Sequence, residues 1–483
     1  MTDKEVLNKY MNIIHNNIHK ILKLEKTDDS NIFQLNCLKD KKHIATYNCK
    51  THKISCTCCN YSSDVISLTK ELMNLSESNA IKRILVNKLK MKNDEFMDLE
   101  EIIEKEPIIN KYTKIINDNI PKLLKLSLIE DNLYELPCLK DKNHSCLYDK
   151  ISNTIYCPIC GYKTNLIDFT KESMNLTLEE TLYCILVRKL KYNPKTIEDL
   201  NKLIQKIKTK KELFYQINQK ALEIFKKCFL ENTKAQNYVF KERKLSQETI
   251  DEFEIGYAPY GNTILKNLSK IYSLEDLYEV GIISKNKETN EYYDTFNNRL
   301  MFPIYDINNN LVAFGGRTLG SSSSKYINTK TTLIFSKSNT LYALNKLNKK
   351  INYDQIMICE GYMDVVTMYQ NGIYNVVGDL GVAITKEHLN LLKKYTKKPI
   401  AMLDGDSAGT NAMKRVTEKV GVVETVTLPD NLDPDEFLKI HSANELIDYI
   451  YSNSISWNEL MLNDLLKDSN KNIFWSFLEK KSF

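Results

Sequence analysis

The sequence has no long hydrophobic run. No apolar stretch approaches the roughly 20 residues needed to cross a bilayer, and the charged start, Met1 to Lys9, has no apolar signal-peptide segment. A Gly-x-x-x-x-Gly-Lys-[Ser/Thr] loop is also missing, which excludes a P-loop domain. The formal net charge of +5 is too small to indicate nucleic-acid binding by itself. We therefore expect an intracellular, cytoplasmic chain without a membrane partner.

Length and composition indicate several globular domains. A chain of 483 residues is too long for one core, and about three or four domains are expected. The 12 cysteines are unevenly placed, with most of them before residue 161 and several in tight pairs. In a reducing compartment such pairs favour metal ligation over disulfides.

The first two hundred residues contain an internal repeat. Asn8-Lys-Tyr recurs as Asn110-Lys-Tyr, and Cys37-Leu-Lys-Asp-Lys recurs as Cys138-Leu-Lys-Asp-Lys. The repeat unit of about a hundred residues is too long for a solenoid and predicts two tandem small domains.

Each copy of the repeat carries the pattern C-x5-H-x12-C-x2-C. Four nitrogen and sulfur ligands with a closing Cys-x-x-Cys suit a tetrahedral structural Zn²⁺ site. The pattern therefore predicts two Zn²⁺ ions, one held by Cys37, His43, Cys56 and Cys59, the other by Cys138, His144, Cys157 and Cys160. Other cysteines, including Cys58, have no counterpart in the other copy.

Three apolar runs near the end of the chain stop at acidic residues. The runs begin at Gln355, Pro399 and Glu424, and helix-like segments over 367–371, 386–395 and 408–420 alternate with them. Strands that alternate with helices form a parallel α/β sheet, whose carboxyl ends share one edge. Crowded carboxylates at that edge favour a hard divalent cation such as Mg²⁺. The acids that follow the runs are Glu360, Asp364, Asp404, Asp406, Asp433 and Asp435.

These acidic motifs also carry a family resemblance. Glu360-Gly-Tyr-Met-Asp364, Asp404-Gly-Asp406-Ser-Ala-Gly409 and Asp433-Pro-Asp435 resemble the signature of the Toprim domain, in the form found in bacterial DnaG-type primases. The resemblance implies that the six acids are catalytic and coordinate Mg²⁺ or Mn²⁺.

The two cysteine-containing repeats resemble the zinc-binding domain of the same primases. That family has a histidine three residues after the first cysteine, where this sequence has Asp40 and Asp141, with His43 and His144 three residues further on. Either pair could supply the third ligand, and we favour histidine because imidazole suits zinc better beside thiolates.

The middle of the chain resembles the basic subdomain of these primases. The matching segments are Lys241-Glu-Arg-Lys, Arg299-Leu-Met-Phe-Pro, Phe314-Gly-Gly-Arg317, Lys325-Tyr-Ile-Asn328 and Phe335-Ser-Lys337. The match implies that nucleotide and template are bound by Arg243, Arg299, Arg317, Lys325, Asn328 and Lys337. Strand-like runs here alternate with turns, one of which we place at Gly315-Gly316.

The predicted fold is therefore multidomain, α+β and α/β. Two zinc-ribbon-type modules, a mixed α+β basic subdomain and a Toprim parallel sheet are expected. The bounds are 1–91 and 102–192 for the modules, 193–215 for a lysine-rich linker or exposed helix, 216–348 for the basic subdomain, 349–440 for the Toprim domain and 441–483 for a short helical tail.

The resemblance implies a DNA-dependent RNA primase, a nucleotidyltransferase of the replication fork, in the host cytoplasm if phage-encoded. Its partners would be a single-stranded DNA template, nucleoside triphosphates, the RNA primer and a replicative helicase. Two alternatives stay open: a Toprim-type nuclease, in which similar carboxylates position a water, and a non-catalytic zinc-dependent DNA-binding protein.

Overall fold

The structure is a computed structural model. It describes residues 3–92, 95–124, 126–130, 132–138, 144–174, 176–286, 288–320, 324–348, 350–382, 384–396, 398–403, 424–456 and 459. Asp141, Asp404, Asp406 and the predicted helix over 408–420 lie outside these ranges. The chain divides into two compact units, Met1–Lys206 and Ile207–Phe483. Within the described ranges, no helix combines the length and apolar character that a membrane span requires.

The first unit contains two antiparallel sheets, one in each copy of the repeat. In both sheets, each strand pairs with its neighbours in sequence. The first module has β1 (Glu25–Lys26), β2 (Ile32–Asn36), β3 (Ile44–Asn48), β4 (Lys53–Cys56) and β5 (Tyr61–Ser63); the second has β6 (Ser127–Glu130), β7 (Leu133–Pro137), β8 (Ser145–Asp149), β9 (Thr154–Tyr156) and β10 (Lys163–Thr164). The repeat of sequence is thus also a repeat of structure.

Helices cover these two sheets. Polar residues cap the N-termini of several of these helices. Asp64, for example, accepts hydrogen bonds from the backbone N–H groups of Ile66 and Ser67, which have no partner within the helix. The helices are Asp3–Asn16, Ile18–Ile21, Val65–Met73, Glu77–Asn87, Met97–Asp118, Ile120–Leu124, Leu166–Met174 and Leu178–Cys184, the last continuing as a π-turn, Ile185–Lys189.

The helix Met97–Asp118 belongs to both modules. Leu99 and Ile102 are buried in the core of the first module, whereas Tyr112 and Ile116 are buried in that of the second. Because one continuous helix contributes to both cores, the two modules share a structural element instead of being joined by a loop.

Residues 193–215, for which we predicted a linker or exposed helix, form the short turn Pro194–Thr196 and the first part of the helix Glu198–Leu230. Several of its lysines are exposed, but Leu200 and Ile204 are buried in the second module's core and Phe214 in a core of the second unit. The apolar residues at helical spacing, and not the lysine content, decide the structure here.

The second unit begins with an antiparallel sheet of order β11-β14-β15-β16. Its strands are β11 (Gly256–Ala258), β14 (Arg299–Tyr305), β15 (Leu311–Thr318) and β16 (Tyr326–Asn328), and a separate hairpin pairs β12 (Ile283–Lys285) with β13 (Tyr292–Asp294). The helices around it are Thr233–Asn237, Gln247–Glu252, Thr263–Leu268 and Leu274–Glu279, with a π-turn, Tyr238–Glu242, after the first.

Gly315 and Gly316 do not form the predicted turn. Both lie inside β15, where they pair with Phe302 and Met301 of β14. A Cβ at Gly315 would meet the Tyr362 ring, and one at Gly316 would lie 2.7 Å from a ring carbon of Phe296. Here glycine allows an aromatic ring to approach the backbone closely.

The last sheet has the order β18-β17-β19-β20-β21. The first four strands are parallel, and β21 is antiparallel to β20. Its strands are β17 (Ile356–Cys359), β18 (Val376–Gly378), β19 (Pro399–Leu403), β20 (Glu424–Thr427) and β21 (Ile455–Ser456), and its described helices are Tyr362–Gln370, Lys386–Leu392, Pro434–Phe437 and Ala443–Asn453. The three predicted strands and their parallel order are confirmed, while β18 and β21 were not predicted.

Candidate functional site

The second module gathers four potential metal ligands. The ligand atoms of Cys138, His144, Cys157 and Cys160 all lie within 4.8 Å of one another. The backbone N–H of Cys138 donates to the carbonyl of His144 over 2.8 Å, which closes the loop between β7 and β8. One thiol and one imidazole from this loop, Cys138 and His144, and two thiols from the Cys157/Cys160 knuckle form the donor set of a tetrahedral zinc site.

The first module has the same arrangement of thiols. The sulfurs of Cys37, Cys56 and Cys59 lie within 4.8 Å of one another, and Nδ1 of His43 is 3.2 Å from Sγ of Cys59. The carboxylate of Asp40 instead accepts from the N–H of Lys42 and lies 3.9 Å from Nε2 of His43. The exposed Cys58 forms an overlapping group with His43 and Cys56.

Hydrogen bonds favour the thiolate form in both modules. Desolvation raises the pKa of Cys37, but hydrogen bonds from the Asp40 backbone N–H and the Tyr61 hydroxyl outweigh it and lower the pKa to about 6. In the second module desolvation likewise raises the pKa of Cys157, and the backbone N–H of Cys160 leads the bonds that lower it to about 6. The pKa shifts the opposite way at a second thiol of each cluster: burial and the neighbouring sulfurs raise the pKa of Cys59 to about 12 and raise that of Cys160. Zinc binds the thiolate form, so a bound cation would offset this crowding of sulfurs.

The acidic residues follow the parallel strands of the last sheet. Glu360 comes directly after β17, and Asp433 and Asp435 follow β20 after one short turn. Asp379, which was not predicted, comes directly after β18, and its carboxylate accepts from the N–H of Gly381 over 2.8 Å. The apolar run that ends at Asp379 could have revealed it, because it repeats the pattern of the other strands.

Asp364 holds the beginning of the helix Tyr362–Gln370. Its carboxylate accepts from the backbone N–H of Gly361 over 3.1 Å and from that of Asp435 over 3.4 Å. A Cβ at Gly361 would meet Oδ2 of Asp364, so a larger residue at this position would displace the carboxylate. Asp364 therefore joins two of the acidic motifs through backbone hydrogen bonds.

Asp435 is the most completely paired of the acids. It is 2% exposed, and Oδ2 accepts from Nη1 of Arg243 over 2.5 Å and from Nζ of Lys439 over 2.9 Å. Oδ1 accepts from the hydroxyl of Thr367 over 2.8 Å. Desolvation raises the pKa of Asp435, but these partners, Lys439 foremost, outweigh it and lower the pKa below its ordinary value.

Asp433 has a different environment. It caps the helix Pro434–Phe437 by accepting from the N–H of Glu436 over 2.7 Å. Desolvation, with the charges of Glu436 and Asp435 adding to it, raises the pKa of Asp433. Among the residues described, the acids of this edge do not bring three carboxylate oxygens within 4.8 Å of one another.

Two of the predicted cations share an aromatic partner. The guanidinium groups of Arg243 and Arg317 each lie 5.3 Å from the ring centroid of Tyr238. Arg243 also donates to the Tyr238 hydroxyl over 2.7 Å, and Arg317 donates to that of Tyr326 over 2.8 Å. Tyr238 was not predicted, because nothing in its local sequence marks it.

Two other predicted residues hold the backbone. Arg299 is buried and donates to the carbonyls of Gly316 and Ser324. Asn328 accepts from the Tyr362 hydroxyl over 2.5 Å and donates to the carbonyl of Leu380 over 2.9 Å. Of the remaining predicted cations, Lys325 is exposed and Lys337 is partly buried.

Two family models match the second unit. The model of the N-terminal domain of the DNA primase catalytic core covers residues 224–348, and the Toprim-like model covers 357–438. The first range contains the antiparallel sheet and the second contains most of the parallel sheet with its acids. Fold and site thus define the class of proteins that join a primase-type core to a Toprim-like domain.

Individual relatives agree with the family models. A DNA primase of Clostridium acetobutylicum is 33% identical over 77% of this chain and 62% of its own length, and one of Synechocystis sp. is 30% identical over 70% and 56%. The solved zinc-binding and RNA polymerase domains of the Aquifex aeolicus primase align at 28% identity with a TM-score of 0.48, over 75% of this chain and 89% of that one.

By its two family models and its curated relatives, the chain belongs to the family of DnaG-type DNA primases. It spans less than two thirds of the length of those relatives.

Proposed function

We propose that this protein is a DNA-dependent RNA primase that synthesises short RNA primers on single-stranded DNA. The observation that carries the proposal is the parallel sheet in which β17 and β20, the two neighbours of β19, lead into Glu360 and Asp433, within a chain of the primase family. Its substrates would be a DNA template and nucleoside triphosphates.

The catalytic metal would be Mg²⁺ or Mn²⁺, since all the candidate donors are oxygens. We assign its binding to Glu360 and Asp433 together with Asp404 and Asp406. Burial, with a smaller contribution from the charges of Glu436 and Asp435, raises the pKa of Asp433, and a nearby cation would offset both effects. When bound, such ions lower the pKa of a primer 3′-hydroxyl and neutralise a leaving pyrophosphate. Asp364 and Asp435 would organise the site, because their oxygens already bind protein groups.

The cationic residues would bind phosphates. Arg243, Arg317, Lys325 and Lys337 are the side chains that can face an anionic substrate, whereas Arg299 and Asn328 would support them by fixing the backbone of β15, β16 and the loop at Leu380. Cations beside the acidic edge stabilise the charge that develops during nucleotidyl transfer.

The two Cys/His clusters would each hold one Zn²⁺ in a zinc-ribbon-type module. His43 and His144 would be the third ligands, since each has Nδ1 beside the thiols. The modules would hold the template strand. A replicative helicase would be a further partner, through the tail that begins at residue 441.

Primer synthesis on single-stranded DNA with Mg²⁺ or Mn²⁺ tests the proposal. Wild type should make short RNA, and Asp404→Ala with Asp406→Ala should abolish synthesis. A matched control is Asp354→Ala, because exposed Asp354 precedes the same sheet at its opposite, amino edge. Synthesis by the double variant would refute the site. Shortening of labelled DNA without nucleotides would favour the nuclease alternative.

A further inference from the structure

The short turn Lys337–Asn339 is held by the beginning of the helix Lys386–Leu392. The imidazole of His388, which is 0% exposed, contacts the carbonyl of Lys337 through Nε2 over 2.7 Å. Next to it, the Thr385 hydroxyl donates to the carbonyl of Ser338 over 2.6 Å. Two successive carbonyls of the turn are therefore bound by residues about fifty positions later in the chain.

The hydrogen bonds of His388 define one tautomer. Nδ1 lies 3.2 Å from the backbone N–H of Thr385 and must accept from it, so Nε2 carries the proton and donates to Lys337. If Nδ1 of His388 were also protonated, its N–H would face the backbone N–H of Thr385, and neither donor would have an acceptor there. Burial lowers the pKa of His388, and the Lys337 carbonyl, the Glu387 carboxylate and the Thr340 backbone act in the opposite direction.

The side chain at the first position of this turn, Lys337, is a partly buried cation. Desolvation lowers the pKa of the Lys337 ammonium, and within the described part of the chain no carboxylate pairs with it. A partly buried ammonium is destabilised unless an anion neutralises it. The position of Lys337 is thus suited to an anionic ligand, and it depends on a short turn whose carbonyls at Lys337 and Ser338 are bound by His388 and Thr385.

We propose that His388 and Thr385 are positioning residues that hold the turn Lys337–Asn339 so that Lys337 contacts the triphosphate of the incoming nucleotide. The inference rests on the proposed primase function. On this proposal, a buried histidine controls the affinity for the nucleotide, although it touches neither metal nor substrate.

Two substitutions test the roles of the two ring nitrogens of His388 separately. Asn can accept from Thr385 as Nδ1 does, but it is too short to reach Lys337; Gln can donate to the Lys337 carbonyl as Nε2 does. We expect His388→Asn to raise the KM for nucleotide about five- to tenfold, the effect of one lost hydrogen bond, with kcat changed less than about twofold. His388→Gln should restore most of the KM.

A double-mutant cycle with Lys337→Ala completes the test. If His388 acts through Lys337, His388→Asn should add less than about twofold to the KM of Lys337→Ala. Asn390→Ala is the matched control, because Asn390 is exposed on the same helix; it should leave KM and kcat unchanged.

Any of three results would overturn the inference. The first is an equal loss of kcat and of nucleotide affinity in both His388 variants, and the second is a KM that His388→Asn leaves unchanged. The third is full additivity of the effects of His388→Asn and Lys337→Ala on KM. Thr385→Ala provides a second route if His388 variants fold poorly, and it should raise KM in the same way. A wild type that makes no primer would instead refute the proposed function, which keeps the two failures distinct.

Discussion

Arg243 and Asp435, 192 positions apart in the chain, form an ion pair between Nη1 and Oδ2. The pair joins the end of the π-turn Tyr238–Glu242 to the short helix after β20. Because Lys439 and Thr367 bind the same carboxylate, every oxygen of Asp435 is already in use. An aspartate that the family resemblance implies as a metal ligand thus orients a cation.

Asp435→Asn should therefore lower the stability of the fold and have little effect on metal binding. We expect the free energy of unfolding to fall by about 3 kcal/mol, since a buried ion pair loses one partner, while Mn²⁺ affinity changes less than about twofold. Asp433→Asn should do the reverse: asparagine still caps the helix, but the lost ligand charge should weaken Mn²⁺ binding about tenfold. Denaturant titration and Mn²⁺ electron paramagnetic resonance measure the two effects, and weaker Mn²⁺ binding by Asp435→Asn would contradict the assignment.

Zinc content should identify the third ligand in each module. Wild type should contain two zinc ions per chain, and His43→Ala or His144→Ala should each reduce the content to about one. Asp40→Asn is the matched control and should keep both. Atomic emission spectrometry of the purified protein measures the ratio, and loss of zinc from Asp40→Asn alone would favour the carboxylate.

Removing the zinc should unfold the modules. Metal binding supplies folding free energy in small metal-stabilised domains. A strong chelator should therefore increase hydrogen exchange across β1 to β10, while β14 and β15 of the second unit keep their protection. Unchanged exchange in the chelated modules would show that their cores suffice without metal.

The repeat also predicts equivalent stabilising contacts. Tyr10 donates to Asp98 in the first module, and Tyr112 donates to Asp199 in the second. Tyr10→Phe and Tyr112→Phe should each destabilise their own module by about 1 to 2 kcal/mol, because each leaves part of a buried network unpaired. Hydrogen exchange of the helices Asp3–Asn16 and Met97–Asp118 measures this. Tyr260→Phe, at an 87% exposed position, is the control and should have no effect.

His388 should make stability depend on pH. Its pKa in the folded state lies below the ordinary 6.5, so the unfolded chain binds the proton more readily. Stability is then complete above about pH 6.5 and decreases as the pH falls below it. His15 contributes in the same direction, so the measurement is the difference in slope between wild type and His388→Asn. Equal slopes from pH 7.5 to 5.5 would contradict the prediction.

Gly315→Ala should disturb the packing of β15 against Tyr362. The added methyl would overlap the ring, and overpacking of this kind costs about 1 to 3 kcal/mol. Tyr362→Leu in the same chain should recover part of that loss, because it removes the overlapping atoms. Additive effects of the two substitutions in thermal unfolding would show that the ring moves aside freely.

The strands that lead to the acids were predictable because strands of a parallel sheet are buried on both faces. Ile356–Cys359 and Pro399–Leu403 are apolar throughout, and in the sequence an acidic residue directly follows each of them. The repeat was predictable for another reason, since comparing its copies separates Cys59 from Cys58. Strand β18 was missed because it is only three residues long.

Residue types and their spacing decided which ligands this protein offers: two sets of thiols with an imidazole, and acids after apolar strands. Those features are local, so neighbouring residues encode them. That Asp435 pairs with Arg243, and that Gly315 receives the ring of Tyr362 instead of turning the chain, was decided only by tertiary structure. In both cases the partner lies far away in sequence, and burial, which sets the free energy of each contact, exists only after the chain has folded.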